Sequence, residues 1–266
     1  MAPRKRTRDR LPLDAKESGA AAEIPTGEAF RPEWIDFERG IRVGNLEPHE
    51  RITQILKYHL ETTYGTPFLT DRWGRGAYWQ WICWVSRANR AAKPLSSKVN
   101  FGCAKFFITA RGEDGIFKSG LQVERGHVEG PGDFPGNVLQ PDWDWNRLIK
   151  QCKEGTPLDL EFHRLLEKEG FVIELGDWSS NQVFSSANFQ SARQIAAAAR
   201  AYSKREWVGL QIYYPMPAEE VESCTGFELV QAMFGVFRQV TPAMDACTQV
   251  PLGEATAGLD FPGRRP

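Results

Sequence analysis

The segment Asp71-Arg-Trp-Gly-Arg-Gly-Ala-Tyr-Trp-Gln-Trp-Ile-Cys-Trp-Val-Ser-Arg-Ala-Asn-Arg90 constrains the fold more than any other stretch of the chain. Trp73, Tyr78, Trp79, Trp81 and Trp84 stand there among Arg72, Arg75, Arg87 and Arg90. Tyr78 to Ser86 has the aromatic content of a strand, and successive side chains of a strand point to opposite faces. Regular alternation puts Trp79 and Trp81 on one face and Tyr78, Ile82 and Trp84 on the other. The two faces cannot serve one core, so the strand needs cover on both sides or presents an open aromatic face.

The pattern around it supplies partners. Ile52, Ile55, Leu56, His59 and Leu60 fall at helical spacing, which predicts an amphipathic helix over about 48–63 with His59 as a core histidine. Strands are expected at Tyr78–Ser86, Val99–Ala110 and Ile116–Val128, with Arg111–Gly115 as a hairpin turn. The glycines and prolines of Gly130–Pro141 predict a long loop. Two helices follow. The first carries Trp145, Leu148, Ile149 and Cys152 to a stop at Gly155, and the second runs from a Thr156 cap and Pro157 to Gly170. A strand at Phe171–Leu175, an alanine-rich helix at Ser186–Ser203 and a strand at Trp207–Tyr214 ended by Pro215 and Pro217 come next. A last helix opens with a capping box of Thr225 and Glu228. This order lacks regular βαβ alternation, so the expected fold is α+β, a mainly antiparallel sheet of about five strands packed with about five helices. Gly120-Leu-Gln-Val and Gly209-Leu-Gln-Ile echo one another, placing Gln122 and Gln211 at equivalent strand positions.

The ends differ from the middle. Residues 1–30 show no hydrophobic period and carry Arg4, Lys5, Arg6, Arg8 and Arg10, so they are expected to form a disordered basic arm. A single α+β domain is expected over 31–247, with a loose tail over 248–266. Net charge is -1, which gives no global argument for a polyanionic partner; any such partner must meet a local patch. The uncharged runs reach about half of the roughly 20 residues a membrane-spanning helix needs, and no secretory h-region is present, so a cytoplasmic protein without membrane contact is expected. The five cysteines are odd in number and widely spaced, which suits buried free thiols rather than a disulfide framework or a zinc knuckle. No cofactor or metal is expected.

Three functional readings follow from the residues. Rings stack on exposed bases and arginines hold phosphate, so Arg72, Trp73, Arg75, Tyr78, Trp79, Trp81, Trp84 and Arg87 are candidates for a nucleic-acid groove or a cage for an extruded base. Glu124-Arg-Gly-His127-Val-Glu129 is the best constellation for a hydrolase or nuclease, with Asp133, Asp142 and Asp144 beyond it. Burial of every aromatic would instead suit a structural or scaffold protein. The run Gly74-Arg-Gly76-Ala-Tyr78, then Trp81-Ile82, Gly120-Leu-Gln122, and Ile212-Tyr-Tyr214 before Pro217-Ala-Glu-Glu220, resembles the N-terminal DNA-binding domain of McrB-type modification-dependent restriction systems. The likeness spans about 48–240 as scattered motifs. Gln80 stands where such domains tend to carry proline, and no AAA+ motor follows. The resemblance implies recognition of modified cytosine in DNA, as part of a defence system, with the aromatic segment lining the pocket.

Overall fold

The computed structural model describes residues 25–96, 100–110, 115–130, 135–177 and 181–253. Most of the basic arm, the hairpin turn at 111–114, Asp133 and the last thirteen residues lie outside them. Within them the chain forms β1 (Ile35–Asp36), β2 (Gly40–Arg42), α1 (Ile52–Tyr64), β3 (Phe68–Arg75), β4 (Tyr78–Ser86), α2 (Arg87–Ala91), β5 (Lys105–Thr109) and β6 (Ile116–Gly126). It continues with α3 (Asp144–Gln151), α4 (Pro157–His163), β7 (Val172–Gly176), β8 (Asn181–Phe184), α5 (Ala192–Ala201), β9 (Val208–Pro217), α6 (Ala218–Ser223) and α7 (Gly226–Cys247). The α+β class agrees with expectation, but nine strands and seven α-helices replace the expected five of each.

All nine strands join one antiparallel sheet. One edge of β4 pairs with β3 along its length; the other meets β2 at Tyr78 and Trp79, then β5 from Trp81 to Trp84. The path runs on through β5, β6, β9, β7 and β8. β9 continues past the prolines expected to end it, pairing Pro215 with Lys118 and Pro217 with Ile116. The physical reason lies on its other edge. Tyr213 is the last β9 residue paired with β7, so both prolines, which lack an N–H, fall where β9 has one neighbour only.

Alternation sorts the strand residues onto two unlike faces. Ile82, Trp84, Phe106, Ile108, Leu121, Ile173, Leu210 and Ile212 face the helices, where α7 contributes Leu229, Met233, Phe237 and Val240 to the main core. The capping box of Thr225 and Glu228 starts α7 as its sequence predicts. His59 of α1 is half buried with its ring 5.4 Å from that of Phe234, and burial holds its imidazole below the ordinary range. The second face carries a small cluster of Cys83, Val85, Cys103, Phe107 and Tyr213, drawn from strands and one loop.

Both ends of the described chain are tied to the packed body. Phe30 is buried, and Gly27 sits with positive φ against Val230. At the other end, the chain leaving α7 is tied back to α2: the N–H groups of Gln249 and Val250 donate to Asn89 Oδ1. Four cysteines are buried and Cys224 is half buried, all five free. No helix of the described residues is long and apolar enough to cross a membrane.

Candidate functional site

The second sheet face is built from three cross-strand rows. Register places Lys105, Gln122, Gln211 and Glu174 side by side across β5, β6, β9 and β7. All four are buried. The next row is Cys83, Phe107, Gly120, Tyr213 and Val172, and the one beyond it Trp73, Trp81, Thr109 and Lys118. Polar side chains at inward positions of a central sheet require partners, and here they find one another.

Gln122 Oε1 accepts from Trp81 Nε1 and from Gln211 Nε2, both at 2.9 Å. The Lys105 ammonium donates to Glu124, one step along β6. Burial alone would lower the lysine, but Glu124 against it more than compensates, so Lys105 titrates above the ordinary range and stays charged. At the other end Lys118 Nζ lies 3.1 Å from Glu174 Oε1, which also accepts from Tyr213 Oη at 2.6 Å. The Gly-Leu-Gln echo has a structural meaning: Gln122 and Gln211 are direct antiparallel partners, so the two motifs are related by a local twofold across the β6–β9 pair.

Above these rows opens a pocket of about 810 Å³. Its walls include Trp73, Trp81, Phe101 and Trp207, and its floor the two glutamines. Four carboxylates (Asp71, Glu124, Glu174 and Asp177) face three cations (Arg72, Lys105 and Lys118). A smaller cavity of about 400 Å³ adjoins it, lined by Arg39, Arg75, Tyr78, Gly74, Trp73 and Gln80. The Arg39 guanidinium lies 3.9 Å from the Tyr78 ring centroid. Trp73 is 57% exposed and borders both cavities.

The aromatic segment divides differently from regular alternation. Trp73 pairs with Trp81 but Gly74 pairs with Trp79, leaving Gln80 as an extra, bulged residue. The bulge turns Trp79 onto the helix-covered face with Ile82 and Trp84, while Trp81 faces the pocket. Arg72 stacks over Trp79 at 3.9 Å. Trp84 is fully buried and its Nε1–H donates to Thr53 O, so it has no surface to offer a ligand. Arg87 begins α2 as an exposed residue and lines neither cavity. Of the eight candidates, Arg72, Trp73 and Trp81 line the larger pocket and Arg75 and Tyr78 the smaller.

The candidate catalytic cluster does not converge. Glu124 is buried in the pocket floor with Lys105, whereas Gly126 with positive φ turns the chain so that His127 Nδ1 meets Arg205 O at 2.8 Å. Glu129 is exposed and faces Lys204. Asp144, fully buried, accepts from Asn89 and Ala104 and pairs with Lys93 at 2.7 Å. Asp142 binds the N–H groups of Leu95 and Ser96. Among the described residues no group of histidine, cysteine and carboxylate side chains is placed to hold a metal.

Sequence reasoning does not single out Lys105, Lys118, Glu174, Phe101 and Trp207 as site residues. Their signal is topological, since they meet only through pairing of strands far apart in the chain. No family model, curated protein or solved structure matches the chain. The likeness to McrB-type domains rests on the short motifs themselves.

Proposed function

We propose that the protein is a DNA-binding module that takes an extruded base, modified cytosine foremost, into the sheet-face pocket. One observation carries the reading: Trp73, exposed, stands between an aromatic pocket floored by amides and a ledge bearing Arg39 and Arg75. A base stacked on an aromatic ring gains about 1–3 kcal/mol, and amides complement the donors and acceptors of its edge. The slight carboxylate excess in the pocket disfavours phosphate inside it, while arginines on the ledge suit phosphate outside. Arg4 to Arg10 of the arm, outside the described residues, would add salt-sensitive contacts in the cytoplasm. The McrB likeness makes modified cytosine the first base to try and a role in defence the natural setting.

Anisotropy titrations with duplexes carrying one modified or unmodified cytosine test this. Binding should weaken steeply between about 50 and 200 mM salt. Trp73→Ala should weaken it at least about tenfold while leaving stability within about 0.5 kcal/mol, since the side chain is largely exposed. Absence of binding to any of these DNAs at low salt would remove the reading.

A further inference from the structure

We infer that the pocket holds two consecutive bases, the second in a subsite walled by Phe101 and Trp207. The inference rests on the base-binding reading above and adds how many bases enter. The first ground is size. At about 810 Å³ the pocket falls within the range that encloses a drug-sized ligand, and one flat base on Trp73 leaves space beyond it.

The second ground is a separate aromatic wall. Phe101 and Trp207 meet edge-to-face at 5.1 Å, on the segments that lead into β5 and β9. They lie at the opposite end of β5 from Thr109, whose row contains Trp73 and Trp81. Lys105 stands in the floor between the two ends, 5.8 Å from the Trp81 ring centroid and 5.6 Å from that of Phe101.

The third ground is unsatisfied hydrogen-bonding capacity at this second end. Trp207 Nε1 and Asn100 Oδ1 are buried atoms without a hydrogen-bond partner among the described residues, and both residues line the pocket. Both atoms are out of solvent's reach in this structure, so a rotation of the Asn100 and Trp207 side chains brings them to a group that offers one donor and one acceptor, as the edge of a base does. Lys105 and Lys118 are already held in ion pairs, so the phosphate linking the two bases stays outside, at the pocket rim.

The experiment compares two duplexes of equal length and flanks, one with a single unpaired nucleotide and one with two adjacent unpaired nucleotides. The two-nucleotide DNA should bind about tenfold tighter. Phe101→Ala should bring the ratio of the two affinities near one. Trp207→Phe, which keeps a ring in place and removes only the N–H, should reduce the ratio part-way and guards against misfolding. Equal affinity of the unsubstituted protein for the two DNAs would overturn the inference, as would a ratio unchanged in both variants. Failure of the underlying reading looks different: neither DNA binds, or Trp73→Ala changes neither affinity.

Discussion

Lys105 and Glu124 show what the pocket demands of single residues. Each is buried, each would be costly alone, and neither has a covalent reason to be in a sheet interior. Their mutual attraction opposes burial: it holds the Lys105 ammonium above its ordinary range, while burial still pushes the Glu124 carboxyl up. Removing one partner strands the other, so Glu124→Gln should cost about 3–5 kcal/mol in denaturant unfolding. The double change Lys105→Met with Glu124→Leu should recover most of that loss, because a well-packed apolar pair replaces a buried ion pair at little net cost. A double variant as unstable as Glu124→Gln would show that the pair is held by further contacts. Trp79 teaches a different lesson about residues: its indole is prominent in sequence, yet it works as a platform under Arg72 rather than as a wall of the pocket.

At the scale of elements, Gly120 decides whether β6 and β9 can lie together. A Cβ built there would come 1.9 Å from Ile212 O and 2.7 Å from Tyr213 Cα, so no side chain fits without parting the strands. Gly120→Ala should therefore destabilise by about 3 kcal/mol or more, at the upper end of overpacking, and pull Gln122 away from Gln211 on the pocket floor. Gly235→Ala, in the middle of α7 where a Cβ meets open space, is the control and should raise stability, by up to about 1 kcal/mol, in a thermal melt. The same elements show what is legible in sequence. Tyr78–Ser86 and the capping box of α7 follow from local pattern, because alternation and capping are short-range physics. β3 escapes such a reading: Phe68-Leu-Thr-Asp-Arg-Trp-Gly-Arg75 is an edge strand whose polar residues face solvent, so it lacks an apolar repeat. The bulge at Gln80 is invisible to alternation, since it depends on Gly74 with φ 154° lying beside Trp79 on the neighbouring strand. The pairing of Gln122 with Gln211 is half legible: the echo marks equivalent positions, but only the antiparallel register makes them neighbours.

At the scale of the whole molecule, one sheet separates a helix-packed apolar side from an open polar one, and free thiols are buried on both. Cys152 and Cys247 belong to the main core, Cys83 and Cys103 to the small cluster beneath the pocket. Burial raises all four thiols: Cys103 to about 11, Cys152 to about 12, and Cys83 and Cys247 upward as well. An unfolded thiol ionises near about 8.5. Because the folded pKa is the higher one, this stabilisation is complete below about pH 8.5 and declines as pH rises, since the unfolded chain releases protons that the folded protein retains. Each thiol contributes a slope of up to about 1.4 kcal/mol per pH unit above that point. Tyr64, also raised by burial, adds to the same trend only from about pH 10 upward. Thermal melts between about pH 8.5 and 10 thus isolate the thiols. Tm should fall steadily across that window, and Cys152→Ala, although less stable at neutral pH, should show about a fifth to a quarter less of the slope, since Cys224 is raised by burial too. A Tm that stays level across the same window would mean that the thiols ionise alike in the folded and unfolded chain.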